Sequence, residues 1–331
     1  MKMLVVGFDG MPRRMFDTIR SFQHYDRRDM YVPLALSGPS WFTMYTGLPA
    51  SMHRVLDVLG RRAKWAGEMP NTYEDVVDEC IWTRLTRLGH TCALCNLPTA
   101  VPPIPGAALL HTSGALAYPG AMCEPKTLDL PIRWLEMCDL AQYGTYIGGV
   151  NRWYGDWPIV AQGLVQNNAS KLFTQIYEDS IAVADWYVQH ARDADFGFIC
   201  FTYIDRLGHI FGLTEAVEGT CSTTTAAVMD VLKYLYADTT LIISDHGFVK
   251  PGEVDIEDAA KHHTHNAIIG MRSIHDDLKL LDIELTNRDV VPFILRTFGI
   301  DAVAVEALNG NDTDEDLEGI VIERLKGLGY L

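Results

Sequence analysis

The sequence predicts an α/β fold in which helices sandwich a mostly parallel central sheet. The chain has 331 residues, of which 48% are hydrophobic. A chain of this length buries a large core without help from disulfides. Short apolar runs typical of strands buried on both faces alternate with stretches that repeat apolar residues at helical spacing. This alternation is typical of a parallel sheet covered by helices.

The individual elements follow from these patterns. Buried strands are predicted at 3–8, 91–95, 196–203 and 240–244. Amphipathic helices are predicted at 72–88, 172–191 and 223–235. Near the C-terminus, we expect a capped helix at 286–299 and a final helix at 313–328, which is acidic at its start and basic near its end.

The segment from 98 to 165 differs from the rest of the chain. It is rich in proline, glycine and aromatic residues and has no clear alternation of strand and helix. We interpret it as an inserted cap over a catalytic core formed by 1–97 and 166–331. Its aromatic residues include Tyr154 and Trp157, which could stack on a nucleobase or could equally form the core of the cap itself.

The charge balance limits the partners of this chain. Lys and Arg total 27 and Asp and Glu total 43, so the net charge is −16. An acidic surface repels polyanions, so we expect neither a nucleic-acid duplex nor an anionic membrane as a partner. No apolar run reaches the length of a membrane span or of a signal-peptide core.

The cysteines indicate a reducing compartment. Seven cysteines, an odd and scattered set, suit free thiols better than a disulfide framework, so we expect a cytoplasmic protein. Cys92 and Cys95 have CxxC spacing, but no second cysteine pair accompanies them. We therefore interpret both as buried strand residues rather than a redox or zinc site.

Three of the predicted strands end in an aspartate. Asp9 follows the first strand, Asp205 follows the third, and Asp245 with His246 follows the fourth. Ligand sites of open α/β sheets lie beyond the carboxyl ends of the strands, which makes these aspartates candidates for a shared site. A single such aspartate would more simply be a turn or cap residue.

Histidines accompany these aspartates. His209 lies four residues after Asp205, so a helical turn would bring both side chains to one face. His263 and His265 precede another apolar segment and supply further imidazoles. Carboxylates combined with imidazoles are the ligands expected for zinc or manganese, and two such cations would suit phosphoryl transfer.

Ser37 is the candidate nucleophile. It lies at a Gly-Pro turn just before a helix predicted to begin at Ser40. A hydroxyl at a helix N-terminus faces a position that favours an anionic phosphate. An ordinary N-cap serine is the alternative.

The order of these motifs resembles the alkaline phosphatase superfamily, and most closely its type I phosphodiesterase/nucleotide pyrophosphatase branch. The motifs that carry the resemblance are VGFDG at 6–10, SGPSW at 37–41, TGLPASMH at 46–53, YIDRLGH at 203–209, SDHG at 244–247 and His265. The resemblance covers both ends of the chain and leaves the middle uncovered.

The resemblance implies two divalent metals, Zn²⁺ first and Mn²⁺ second. One would be held by Asp205, His209 and His265. The other would be held by Asp9, Asp245 and His246, with Ser37 also reaching towards it. His265 is preferred to His263 as the last ligand because it lies closest to the following apolar run.

The implied activity is hydrolysis of phosphodiester or pyrophosphate bonds in small, nucleotide-like substrates through a covalent intermediate on Ser37. Many members have threonine as the nucleophile and asparagine three residues later as a phosphate ligand. Here those positions hold Ser37 and Ser40, so Ser40 is predicted to bind substrate. A metal-dependent phosphomonoesterase is the nearest alternative, and a binding module without catalysis is a further one. Sulfatases have arginine where this chain has Trp41, which disfavours that activity.

Overall fold

The computed structural model describes most of the predicted core. The described residues are 1–56, 71–100, 103, 106, 108–113, 123–124, 157–250, 252, 263–280 and 282–300. The predicted final helix at 313–328 and much of the predicted cap lie outside them.

Nine strands form the main sheet within this part of the chain, in the order β11-β2-β10-β7-β1-β6-β3-β4-β5, and β8 pairs separately with β9. The strands are β1 (Met3–Phe8), β2 (Asp26–Tyr31), β3 (Cys92–Leu97), β4 (Leu110–Ser113), β5 (Cys123–Glu124), β6 (Phe196–Phe201), β7 (Thr239–Ile243), β8 (Gly247–Phe248), β9 (His263–Thr264), β10 (Asn266–Ser273) and β11 (Leu285–Thr286).

Helices connect and cover these strands. They are α1 (Arg13–Thr18), α2 (Ser37–Thr46), α3 (Ala50–His53), α4 (Tyr73–Val76), α5 (Ile81–Arg87), α6 (Trp157–Ala191), α7 (Tyr203–Phe211), α8 (Glu215–Leu232) and α9 (Val290–Thr297), with short 3-10 turns at Arg20–Phe22, Val77–Glu79, Lys233–Leu235 and Asn287–Asp289. None of the helices in the described ranges is both long enough and apolar enough to cross a bilayer.

The predicted α/β class with a mostly parallel sheet is confirmed. Strand β1 pairs in parallel with both β6 and β7, and β3 pairs in parallel with β6 and β4. Strand β10 is antiparallel to both of its neighbours, β2 and β7. Strand β2 was not predicted, because its charged and partly exposed residues do not form an apolar run.

One predicted helix is divided. The stretch 72–88 forms α4, a 3-10 turn and α5, and the break falls at Cys80, whose backbone is extended (φ −68°, ψ 141°). The apolar spacing that predicted one helix continues across the break, because the side chains on both sides face the same core.

The segment predicted as a cap contributes to the sheet where it is described. Strands β4 and β5 extend the sheet beyond β3 at one edge. Helix α6 begins at Trp157 and continues to Ala191, so it crosses the predicted boundary at 165.

Strand β1 is central and apolar on both faces. Leu4, Val6 and Phe8 pack into the core on one side of the sheet, and Met3 and Val5 pack into the core on the other. Each fully buried side chain of this size contributes roughly 1.5–3 kcal/mol to stability. Burial on both faces holds β1 rigidly between β6 and β7 and brings the carboxyl ends of the three strands level.

Candidate active site

Three aspartates meet where the central strands end. In the register of the sheet, Gly7 lies beside both Cys200 and Ile243, so β1, β6 and β7 end together. The backbone N–H of Asp205 donates to the carbonyl of Asp9 over 3.1 Å. The side chains of Asp9 and Asp245 are fully buried, and that of Asp205 is nearly so. These carboxylates therefore line one crevice, as the strand ends predicted.

Asp205, His209 and His263 form the first group with metal-ligand geometry. The i and i+4 positions on α7 bring His209 Nε2 to 3.3 Å from Asp205 Oδ1. His263 Nε2 lies 3.4 Å from the same oxygen and 3.0 Å from His209 Nε2.

Asp9, Asp245 and His246 form the second group. His246 Nε2 lies 3.3 Å from Asp9 Oδ1 and 3.4 Å from Asp245 Oδ2. The rings of His246 and His263 stack with their centroids 3.6 Å apart, so the two groups adjoin.

The structure groups His263, rather than the predicted His265, with Asp205 and His209. His263 belongs to β9, which pairs with β8 directly after His246, and this pairing carries its ring into the crevice. The chain bends at His265 between β9 and β10. Its Nδ1 atom lies 2.8 Å from the Val32 carbonyl, and its ring stacks on Tyr31. Strand pairing, rather than proximity to the apolar run, therefore places His263 beside this group.

Backbone carbonyls orient two of the imidazoles. His263 Nδ1 lies 2.9 Å from the carbonyl of Ala35, and His246 Nδ1 lies 3.1 Å from that of Gly247. When the rings are neutral, donation from Nδ1 to these oxygens leaves the lone pair on Nε2, the atom that would bind a cation. Both rings are thus arranged as metal ligands usually are.

The charges of the site also fit cations. Among the described residues, Asp205 Oδ1 and Asp245 Oδ2 are buried oxygens that accept no hydrogen bond. Burial and the nearby Asp205 raise the pKa of Asp9, and burial and Asp9 raise the pKa of Asp245 well above its ordinary value. Burial lowers the pKa of His246, but Asp245 and Asp9 outweigh it and raise that pKa to about 10. Divalent cations would satisfy these oxygens and offset the repulsion between the carboxylates.

Ser37 lies beside the second group. It is the first residue of α2, which begins three residues earlier than predicted. Its Oγ atom lies 3.3 Å from Asp9 Oδ1 and 3.4 Å from His246 Nε2. The positive end of the helix dipole therefore faces the position where an anionic group would bind.

Ser40, the predicted substrate contact, lies in α2 near the end of β7. It is fully buried, and its hydroxyl donates to the backbone carbonyl of Asp245 over 2.8 Å. This bond joins α2 to the turn that follows β7. Of the other predicted substrate contacts, Tyr154 lies outside the described residues, and so does the side chain of Trp157.

The cysteine interpretation agrees with the structure. Cys92 and Cys95 are buried thiols in β3. Burial raises the pKa of the Cys92 thiol to about 12, which suppresses the reactive thiolate.

Sequence reasoning missed Phe248 as part of the site. Its ring lies edge-on to His209, His246 and His263, with centroids 5.3, 5.6 and 5.0 Å away. The available signal was its position two residues after His246, in the strand that pairs with β9. Trp41 was also missed as a neighbour of Asp9, to whose Oδ2 atom its indole N–H donates over 3.3 Å.

Comparison with solved structures found matches of low sequence identity. Murine ectonucleotide pyrophosphatase/phosphodiesterase 5 is 16% identical, with a TM-score of 0.41, and the match covers 75% of this chain but only 58% of that one. The human protein of the same name is 12% identical over 97% of this chain and 99% of its own, with a TM-score of 0.46. A 2-O GAG sulfatase is 14% identical over 96% and 74% of the two chains, with a TM-score of 0.49. A search of curated proteins found no match.

Comparison with family models gave a match over nearly the whole chain. Residues 3–294 match the model described as type I phosphodiesterase / nucleotide pyrophosphatase. The matched range contains Ser37 and both groups of candidate metal ligands. The chain therefore belongs to the type I phosphodiesterase / nucleotide pyrophosphatase family.

Proposed function

We propose that this protein hydrolyses phosphodiester or pyrophosphate bonds in small nucleotide-like substrates, with Ser37 as the nucleophile. One observation carries the proposal: the Ser37 hydroxyl lies at a helix N-terminus, 3.3 Å from Asp9 and beside two groups of convergent carboxylates and imidazoles. Family membership supports a hydrolase of phosphoric esters and the nucleotide class of substrate.

The two groups would hold two divalent cations, Zn²⁺ or Mn²⁺. Asp205, His209 and His263 would hold one, and Asp9, Asp245 and His246 would hold the other. When bound, such a pair of cations supplies Lewis-acid stabilisation of the charge that develops on the phosphoryl oxygens.

The residues of the chain perform the remaining steps. The N-terminus of α2 binds the anionic phosphoryl group next to Ser37. Ser37 Oγ attacks phosphorus and breaks the bond from phosphorus to the leaving oxygen, which takes up the proton that Ser37 loses and departs as an alcohol or a phosphate. A phosphoseryl diester or monoester remains. Water then attacks phosphorus, releases the product and returns the proton to Ser37. Phe248 covers one side of the imidazoles and keeps water from that face.

The nucleophile is tested by replacing Ser37. We expect Ser37→Ala to lower turnover by at least about 10³-fold while the metal content is retained, because only the attacking atom is lost. Ser37→Thr is the matched control, since it restores a hydroxyl at the same position and should recover part of the activity. Near wild-type turnover by Ser37→Ala would refute the assignment.

The reaction class is tested with a substrate panel. Bis-p-nitrophenyl phosphate, p-nitrophenyl phosphate and dinucleotide pyrophosphates should be compared with Zn²⁺ or Mn²⁺ present. We expect faster turnover of the diester and the pyrophosphates. Faster turnover of the monoester would instead identify a phosphomonoesterase, and full metal binding without turnover of any substrate would identify a binding module.

The expected cytoplasmic location stays a prediction, to be checked by cell fractionation.

A further inference from the structure

Trp41 is a fully buried residue that contacts Asp9 from the interior of the protein. It lies on α2, one turn beyond Ser37, and has no exposed surface. Its indole N–H donates to Asp9 Oδ2 over 3.3 Å. This bond joins the helix that carries the proposed nucleophile to a proposed metal ligand on the central strand.

The central strand has a recess that receives the indole. A Cβ atom on Gly7 would lie 2.6 Å from Trp41 Cη2 and 3.0 Å from Cζ3, so only glycine admits the ring at this position. Asp9 directly follows the last residue of β1 and lies two residues beyond Gly7. The ring thus occupies the space left by Gly7 and reaches Asp9 two residues further along.

Aromatic neighbours hold the indole in this recess. Tyr45 stacks on it with centroids 6.0 Å apart, and Phe198 contacts it edge-on with centroids 6.4 Å apart. A ring packed on these sides has one orientation, which fixes the direction of its N–H group.

The two oxygens of Asp9 therefore have different partners. Oδ2 accepts the indole N–H, whereas Oδ1 lies 3.3 Å from both Ser37 Oγ and His246 Nε2. We propose that Trp41 is a positioning residue, which holds Asp9 Oδ2 so that Oδ1 faces the metal bound by Asp9, Asp245 and His246. This inference rests on the proposed function, because it requires that metal site.

Metal affinity is the measurement that tests this role. The metal-free protein would be titrated with Zn²⁺ and with Mn²⁺ against a chromophoric chelator. We expect Trp41→Phe to bind one of two ions about 10–100-fold more weakly and the other unchanged, as for other residues that orient a metal ligand. We also expect kcat to fall with little change in KM, since the substrate does not touch Trp41.

Trp82→Phe is the matched control. Trp82 is also fully buried, its ring lies 5.1 Å from that of Tyr45, and its indole N–H donates to the Tyr73 hydroxyl over 3.1 Å. This variant therefore loses the same group from the same core without touching Asp9. Its metal affinities should equal those of the wild type.

A second variant keeps the test independent of core packing. Benzothienylalanine incorporated at position 41 retains the shape of the indole and replaces only the N–H group with sulfur. We expect it to fold like the wild type and to show the same selective loss of affinity for one ion.

The possible results of the metal titration distinguish the positioning role of Trp41 from the proposed function. A wild type that binds two ions, with both position 41 variants binding them equally well, would overturn the role of Trp41 and leave the proposed function intact. A wild type that binds neither ion would overturn both. Equal weakening in the Trp82→Phe control would show that the effect is general core damage and would also refute the positioning role.

Discussion

His53 and His111 are buried imidazoles outside the site. His53 Nδ1 accepts the Val55 N–H over 3.0 Å, and its Nε2 lies 3.1 Å from the Thr43 hydroxyl. Burial lowers the pKa of His53 to about 3 and that of His111 to about 4. Both rings are therefore neutral in the folded protein at pH values where an unfolded histidine is charged.

The depressed pKa values predict sensitivity to acid. Between the unfolded pKa of about 6.5 and the folded pKa of about 3, the unfolded chain binds a proton that folded His53 does not. Stability is therefore complete above pH 6.5 and falls as the pH drops towards 3, by about 1.4 kcal/mol per pH unit for each such histidine. Urea unfolding of the metal-free protein from pH 4.5 to 7 should show that the free energy of unfolding depends less steeply on pH in His53→Gln than in the wild type, by this amount. Parallel slopes would contradict the assignment.

Ser40→Ala tests whether Ser40 contacts the substrate or only supports the backbone at Asp245. The change leaves the Asp245 carbonyl without its hydroxyl donor, so we expect a loss of about 1–2 kcal/mol of stability. KM should stay within about 2-fold of the wild-type value, because the hydroxyl faces the protein interior. A large rise in KM with unchanged stability would restore the substrate contact.

At the scale of elements, the β8–β9 hairpin determines how the histidines meet. A Cβ on Gly247 would lie 2.6 Å from Thr264 Oγ1 and 2.7 Å from the Asn266 carbonyl, so glycine permits the close pairing of the two strands. Phe248 then fits against Gly10 and Gly208. The pairing of β8 with β9 thus packs the Phe248 ring against α7, the helix that carries Asp205 and His209.

Gly208→Ala tests this packing. The added Cβ would lie 2.8–3.0 Å from three atoms of the Phe248 ring, so the ring or α7 must move. We expect a loss of about 1–3 kcal/mol of stability from overpacking, together with weaker binding of the ion at Asp205 and His209. Thermal unfolding and metal titration would measure the two effects.

Gly219→Ala is the control for this variant. Gly219 lies within helix α8, and a Cβ there would meet no atom within 4 Å. Helix propensity alone should then stabilise the protein by about 0.5–1 kcal/mol. A Gly208→Ala variant that behaves like Gly219→Ala would show that Phe248 does not constrain α7.

The sequence predicts an element well where burial determines both its apolar pattern and its secondary structure. Strand β1 was predicted to its exact bounds because both of its faces are buried. Asp9, Asp205 and Asp245 were located by the rule that parallel strands end at one edge. His263 and the bond from Trp41 to Asp9 depend on strand pairing and on one ring filling a recess, and neither leaves a periodic signal in the sequence.

At the scale of the whole molecule, the buried carboxylates that would bind metal lower the stability of the metal-free protein. Three carboxylates buried together repel one another when no cation is present, and folding must overcome that repulsion. Ligand binding to the folded state offsets the cost, by about 2.7 kcal/mol when the free metal is at 100 times its dissociation constant.

The effect of Asp245→Asn on stability should have opposite signs with and without bound metal. Without metal, the amide removes a buried charge and its oxygen still accepts the Gly10 N–H, so we expect stability to rise by on the order of 1 kcal/mol. With Zn²⁺ or Mn²⁺ in excess, the wild type should become the more stable protein. Thermal unfolding of both proteins with and without chelator would measure this, and a variant less stable under both conditions would contradict it.

The position of β1 at the centre of the sheet has a consequence for biosynthesis. Among the described strands, β1 is translated first, and the two strands that pair with it follow only at residues 196–201 and 239–243. Its two edges therefore stay unpaired until both of those strands have been translated, so folding depends on contacts between residues far apart in sequence. Asp9 is translated well before Asp205 and Asp245, and no nascent chain that stops short of β7 can assemble the site.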